Sequence, residues 1–147
     1  MSLHTDKIFF RALNSDTNGI RKVTGGRIYN TSIPVPDQQL DNEPLPYIII
    51  TFDGLTNEGL TKDSSFEGDE DKVQIGISVV AEDRDSLGAL IQAVRDRIDT
   101  YFVTLQPDAA DYDLIPDDYV LSASHVGYDP YKPSFFQSLT YNCDTKP

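Results

Sequence analysis

Two kinds of apolar spacing divide this chain into predicted strands and helices. Residues 73–79 alternate Val and Ile with Gln, Gly and Ser, which predicts a strand with one buried face. Residues 47–52 (YIIITF) are all either aromatic or β-branched, and they predict a buried strand bounded by Pro46 and Gly54. About nineteen mostly polar residues separate the two strands, which is long for a hairpin connection. Either the strands continue past the apolar core as an exposed arm, or residues 56–70 form a mobile loop.

A helical period marks residues 81–102 as the main helix. Counting from Leu87, apolar residues fall at offsets 0, 3, 4, 7, 11, 14 and 15, which forms a stripe along one side. Asp83 or Asp85 can cap the start of this helix and complement its dipole. The opposite side carries Gln, Arg and Asp, so the helix is expected to lie on a sheet with one side in solvent.

The remaining predicted elements are shorter and carry weaker patterns. In chain order they are a short amphipathic helix over residues 3–13, turns at 18–19 and 25–26, a strand over 27–33, and two strands over 119–128 and 135–143. Ser2 or Thr5 is available as the cap of the first helix. Residues 128–133 (YDPYKP) supply the turn between the last two strands.

This order of elements predicts one α+β domain spanning residues 1–147. The expected architecture is an antiparallel or mixed β-sheet of about five strands, with two helices packed on one face and a long β-hairpin arm. A length of 147 residues fits one domain, for which roughly 100–200 residues is usual. The other face of the sheet carries small polar residues and scattered aromatics. It is either exposed to solvent or an assembly surface.

The charge of the chain is strongly negative and unevenly distributed. There are 24 acidic and 12 basic residues, which gives a net charge of −12, whereas residues 1–27 hold five basic and two acidic residues. Such acidity argues against nucleic-acid binding, because that affinity comes from Lys and Arg neutralising phosphates. No apolar run approaches the roughly 20 residues of a membrane span, and no signal-peptide pattern begins the chain. A soluble, reduced, cytoplasmic setting is expected, with the acids either solubilising the surface or facing a basic partner.

The sequence contains few residues that could carry catalysis or bind a metal. His4 and His125 are isolated, and Cys143 has no histidine placed by sequence to activate it. Residues 63–74 (DSSFEGDEDKVQ) partly match a calcium loop, but Gln replaces the essential Glu at position 12, which favours a solvated hairpin tip. The Asp-rich residues 108–118 leave an unrecognised hydrolase as an alternative. The prediction is a non-enzymatic protein without metal or cofactor.

Five segments of the chain carry a further pattern. They are the N-terminal helix leading into the strand at 27–33, the strand LPYIIITFDG at 45–54, the polar hairpin leading into DKVQIGISVVAED at 71–83, the helix SLGALIQAVRDRI at 86–98, and the closing strand SFFQSLTYNC at 134–143. Together they resemble the tail terminator (tail-completion) and minor tail proteins of tailed bacteriophages and prophages. The resemblance covers most of the chain, and it is one of topology and pattern rather than of a catalytic signature.

The resemblance implies a structural role in a virion. Proteins of this family assemble as a ring, typically a hexamer, at the head-proximal end of the tail, where they stop tube polymerisation. The implied partners are further copies of the chain, the tail tube protein and the head connector or neck protein, without specific nucleic-acid or membrane binding. The implied location is the virion tail, after assembly in the bacterial cytoplasm.

By analogy with that family, the hairpin at residues 54–71 is expected to contact a neighbouring copy or the tube. The expected partner-binding residues are Asn57, Glu58, Leu60, Lys62 and Phe66. A flexible surface loop is the alternative for this hairpin. For the whole chain, the alternatives are another neck or baseplate component, a secretion-apparatus subunit, or a binding module without a virion role.

Overall fold

The computed structural model of the protein describes residues 2–30, 44–58, 70–105, 114–116 and 118–145. Its helices are α1 (Thr5–Asn14), α2 (Ile20–Thr24) and α3 (Arg84–Thr104), with a 3₁₀ turn at Ser2–His4 before α1. Its strands are β1 (Ile28–Asn30), β2 (Tyr47–Glu58), β3 (Glu70–Ala81), β4 (Asp118–Ala123), β5 (Gly127–Asp129) and β6 (Ser134–Thr145). None of the described helices is both long enough and apolar enough to cross a membrane.

The strands form one mixed sheet in the order β1-β2-β3-β6-β4, with β5 pairing β6 beside β4. β1 runs parallel to β2, and every other pairing is antiparallel. The register places Ile77 of β3 between Ile50 of β2 and Leu139 of β6. The α+β class and the mixed sheet predicted from the sequence are therefore confirmed, and the described residues form six strands instead of about five and three helices instead of two.

The helices cover one face of this sheet, and the core lies between them. Residues that alternate along the three long strands point into the core and are fully buried, namely Ile48, Ile50, Ile75, Ile77, Val79, Leu139 and Tyr141. They share one apolar cluster with the inward stripes of α1 and α3. This one-sided burial is the physical origin of the period-two pattern seen in residues 73–79.

Helix α3 begins three residues later than predicted. Ala81 is the last residue of β3, where it pairs with Phe135 of β6, so the chain is still extended at this point. Asp83 then caps the helix: its Oδ1 accepts the Ser86 backbone N–H at 2.7 Å, and its Oδ2 accepts the Ser86 hydroxyl at 3.0 Å. These hydrogen bonds stabilise the carboxylate and lower the pKa of Asp83 below its usual value. Of the two caps predicted, Asp83 is the one used.

Helix α1 matches its prediction in place but not in its cap. His4 occupies the N-cap position and makes no side-chain capping hydrogen bond, so the prediction that Ser2 or Thr5 caps the helix was wrong. Thr5 is already inside the first turn and is buried. The 3₁₀ turn at Ser2–His4 leads the chain into α1 and replaces a conventional cap.

Helix α2 was not predicted, although the turns on either side of it were. The Ile20 N–H donates to Asp16 Oδ2 at 3.1 Å, which secures the beginning of the helix. Gly25 ends it in the left-handed conformation at φ 63°, which a side chain would strain. A helix of five residues is too short to show an apolar period, so only its boundary signals were visible in the sequence.

The segment predicted as a single strand over residues 119–128 is two strands. β4 ends at Ala123 and β5 begins at Gly127, and both pair with β6. Between them, Ser124 Oγ donates to the His125 carbonyl and accepts the Ser138 backbone N–H. These local hydrogen bonds bend the chain, because serine side chains compete with the regular backbone ladder. His125, which was predicted to lie in a strand, therefore lies in an exposed connection between two strands.

The two strands of the central hairpin continue well beyond the apolar segments that predicted them. β2 runs to Glu58 and β3 starts at Glu70, and these two residues face each other in register. β6 accompanies β3 as far as Asp71, which pairs with Thr145. The described part of the hairpin is therefore integral to the sheet. Residues 59–69 of the predicted arm lie outside the described residues.

Candidate assembly surface

Side-chain contacts join the three long strands at the distal end of the hairpin. Asn57 Nδ2 donates to Asp71 Oδ1 at 2.6 Å, which links β2 to β3. Lys72 Nζ lies 3.3 Å from Asp144 Oδ1, which links β3 to β6. These contacts join the ends of three strands, so a partner that binds here would contact all three strands at once.

The structure places only part of the predicted partner-binding set. Asn57 and Glu58 are the last two residues of β2, at the distal end of the hairpin. Asn57 is exposed while its amide contacts Asp71. Leu60, Lys62 and Phe66 lie outside the described residues, so their part in the site stays a prediction.

The face of the sheet opposite the helices, here called the open face, is a second candidate surface. Its apolar end is formed by Tyr47, Val80 and Phe136, which follow one another across three strands in register. The Phe136 ring is 42% exposed and lies against Gly127, where any Cβ would collide with it. Lys132 Nζ lies 5.4 Å from the centroid of the Tyr47 ring, a cation–π contact at the edge of this apolar end.

The middle of the open face is built from small hydroxyl residues. The Ser78 and Ser138 hydroxyls lie 3.0 Å apart across β3 and β6, and the next row holds Thr51, Gly76 and Thr140. One carboxylate lies among these rows: Asp53 Oδ1 accepts the Thr51 hydroxyl at 2.6 Å, and the Asp53 side chain lies over Gly76, where a Cβ would collide with it. Aromatic residues are enriched at protein–protein interfaces, so the apolar end is the part of the open face that best fits a partner. The sequence indicated this surface through the polar positions that alternate with the core residues.

A polar and aromatic cluster lies between α3, β4 and β6 on the helix side. The Tyr119 hydroxyl donates to Asp99 Oδ1 at 2.6 Å, and its ring packs edge-on against Phe102. Tyr141, 0% exposed, packs beside Tyr119, and its hydroxyl has no hydrogen-bond partner within the described residues. Burial raises the pKa of both tyrosines, and the nearby Asp99 carboxylate adds to the effect. Sequence patterns could not reveal this cluster, because its members come from three separate elements.

The residues considered for catalysis are not brought together in the described part of the chain. Asp108, Asp111, Asp113 and Asp117 lie outside it, and Asp118 uses its carboxylate to accept the Tyr119 backbone N–H at 2.8 Å. No group of three His, Cys, Asp or Glu side chains that could hold a metal occurs among the described residues. Cys143 is buried, which raises the pKa of its thiol to about 12. A thiol that stays protonated at neutral pH is a poor nucleophile.

The same chemical change should have opposite effects at the two neighbouring tyrosines. We expect Tyr141→Phe to leave the free energy of unfolding unchanged or to raise it by about 1 kcal/mol, because a buried hydroxyl without a partner is destabilising. We expect Tyr119→Phe to lower it by about 1 kcal/mol, because the hydrogen bond to Asp99 is lost. Urea unfolding of both variants beside the wild type measures the difference. A marked loss in Tyr141→Phe would mean that its hydroxyl is hydrogen-bonded in solution.

No protein-family model matches the chain, and no curated protein sequence matches it either. The fold, the open face and the distal end of the hairpin are the structural features that bear on its function.

Proposed function

We propose that this chain is a structural assembly protein of a phage or prophage tail, which caps the tail tube at its head-proximal end and contributes to head–tail joining. The observation that carries the proposal is the order of the elements along the chain. A helical N-terminal unit leads into a short strand, a long hairpin, one long helix and a closing strand, the same order as the five segments whose pattern resembles the tail terminator family. All of these strands lie in one sheet that is covered by helices on a single face.

The proposed role requires surfaces that bind other proteins rather than a catalytic cleft. A ring forms when each copy contacts the next by a different surface, so that the contacts close by rotation. The open face supplies a surface of hydroxyl and aromatic residues, and the distal end of the hairpin supplies a surface where side-chain contacts join three strands. The remaining acidic surface suits a protein through which DNA passes, because like charges do not hold phosphates.

The test is electron microscopy of the purified protein mixed with the tail tube protein from the same genome, compared with tube protein alone. The proposal predicts tubes that are closed at one end and stop lengthening as this protein is added. If tube length and tube ends stay unchanged while the protein remains unbound after pelleting, the tube-capping role is wrong. A neck component or a binding module without a virion role would then be the better assignment.

A hairpin variant tests the predicted partner-binding residues directly. We expect Leu60→Asp combined with Phe66→Asp to abolish capping, because two new charges would have to be desolvated in a protein contact. Val23→Asp is the matched control. Val23 is 57% exposed on α2, just before Arg27, whose side chain donates to the Pro46 carbonyl at the start of β2, the end of the strand opposite the hairpin tip. The control should cap tubes as the wild type does. Capping by the hairpin variant at wild-type level would remove these residues from the contact.

A further inference from the structure

Strand β4 forms an open edge of the sheet. It pairs with β6 over six consecutive residues, Asp118–Ala123, without a bulge, and among the described strands none lies on its other side. Val120, in the middle of β4, is 65% exposed. An open, regular strand edge with apolar residues is a template for pairing with another strand.

The backbone groups of β4 show which residues face outward. The Ser124 N–H donates inward to the Ser138 carbonyl at 2.9 Å, so the even-numbered residues of this segment face β6. The backbone N–H and C=O groups of the odd-numbered residues point away from β6, because the direction of these groups alternates along an antiparallel strand. The outward N–H of Tyr119 is bonded to the exposed Asp118 carboxylate at 2.8 Å, and this carboxylate must release it before Tyr119 can pair with another strand. Leu121 and Ala123 remain oriented for an external strand.

The opposite edge of the sheet is less suited to strand addition. β1 pairs with residues 48–50 of β2 and covers the beginning of that strand. Further along, the register of β2 shifts between Phe52 and Gly54, and the Thr51 hydroxyl donates to Asp53 Oδ1 within this bulge. A bulge is a feature that natural proteins use to prevent pairing. The edge at β4 has neither a bulge nor a proline nor a lysine, and its one carboxylate is that of Asp118, the first residue of the strand.

We propose that β4 pairs antiparallel with β4 of a second copy of this chain, across a twofold axis near Val120 and Leu121, so that two sheets join. Residues facing each other across the axis must lie on the same face, so Asp118 meets Ser122 or Ser124 of the other copy. In this arrangement no two acidic side chains of β4 face each other, although each chain carries a net charge of −12. Parallel pairing in register would instead place the two Asp118 carboxylates side by side. In either antiparallel register the two Val120 side chains become direct or diagonal neighbours and are covered.

This contact goes beyond the proposed tail function and does not depend on it. A twofold contact uses the same surface on both copies and closes at two, so it is separate from any contact that builds a ring. A protein that caps tubes but never pairs through β4 would refute only the present inference. A protein that pairs through β4 but leaves tubes unchanged would refute only the tail proposal.

The experiment is sedimentation velocity over a concentration series from about 1 μM to 1 mM, since a contact made mainly by one short strand pair is small for a stable dimer. The wild type should shift from monomer to dimer, and Val120→Lys should weaken the association at least tenfold, because like charges in facing positions repel. Val103→Lys, the same change at another exposed valine, should associate as the wild type does. A wild type that stays monomeric at every concentration, or a Val120→Lys variant that associates unchanged, would overturn the inference.

A mixing experiment distinguishes twofold pairing from every other arrangement. Val120→Lys and Val120→Asp should each be monomeric alone, and their equimolar mixture should recover the dimer, because position 120 meets its own copy. Failure of the mixture to recover association would refute the twofold contact. As an independent readout, Val120→Cys should form an intermolecular disulfide on oxidation, whereas Val103→Cys should not. Absence of that cross-link would exclude the register with its axis at Val120, in which the two side chains are direct neighbours.

Discussion

Truncation of Phe9 to alanine is expected to lower the free energy of unfolding by about 3–5 kcal/mol, a large part of the stability of a domain of this size. Phe9 is completely buried on the inner side of α1. Its ring centroid lies 5.3 Å from that of Phe102 on α3 and 5.1 Å from that of Tyr141 on β6. One side chain therefore joins two helices and the sheet, and the cavity left by its removal could not close without moving all three.

The matched control is Phe136→Ala, which makes the same truncation on the open face. Phe136 is 42% exposed, so less apolar surface returns to water when its ring is removed. The loss in this variant should be less than half of that in Phe9→Ala. Urea unfolding followed by circular dichroism measures both, with the slope of the transition checked for constancy. Equal losses in the free energy of unfolding would mean that Phe136 is covered in solution, which would support an occupied open face. The value for Phe9→Ala by itself tests the packing of the core.

The parts of the fold that could be predicted from sequence are those where burial is one-sided along a regular element. Residues 73–79 and the stripe beginning at Leu87 showed clear periods because one side of each element faces the core. The buried strand at 47–52 was recognisable from its composition and from Pro46. In these segments local preference and tertiary packing agree, so the sequence alone was sufficient.

The features that were missed depend on contacts between distant parts of the chain or on single hydrogen bonds. α2 rests on the Asp16 carboxylate and the turn at Gly25, and the break between β4 and β5 rests on Ser124. The hydrogen bond from Tyr119 to Asp99 joins residues twenty positions apart on different elements. The same holds for the candidate surfaces. Analogy with the family indicated Asn57, but its contact with Asp71 could be found only once the register of β2 and β3 was known.

Raising the pH above about 9 is expected to destabilise the protein steeply, in a way that can be assigned to named groups. Burial raises the pKa of the Cys143 thiol from its ordinary 9.0 to about 12 and raises that of the Tyr141 hydroxyl above its ordinary 10.0. In the unfolded chain both groups lose protons near their ordinary values, while the folded protein keeps them. The stability that they contribute is therefore fully present below pH 9 and is lost as the pH rises toward 12. Each group costs up to about 1.4 kcal/mol per pH unit, and Cys143 alone costs roughly 2–3 kcal/mol by pH 11.

Comparison with Cys143→Ala isolates this effect from the rest of the alkaline titration. Lysines, exposed tyrosines and the growing negative charge act on both proteins alike, so they cancel in the difference between the two stability curves. That difference should be constant up to about pH 9 and should then shrink or change sign as the wild type loses the contribution of its protonated thiol. Urea unfolding at intervals from pH 7 to 11, with reductant present, measures it. Curves that stay parallel throughout would mean that the thiol ionises as readily in the folded protein as in the unfolded chain. In that case the core around Tyr141 and Cys143 would be open to water, and the closely packed cluster with Phe9 would not describe the protein in solution.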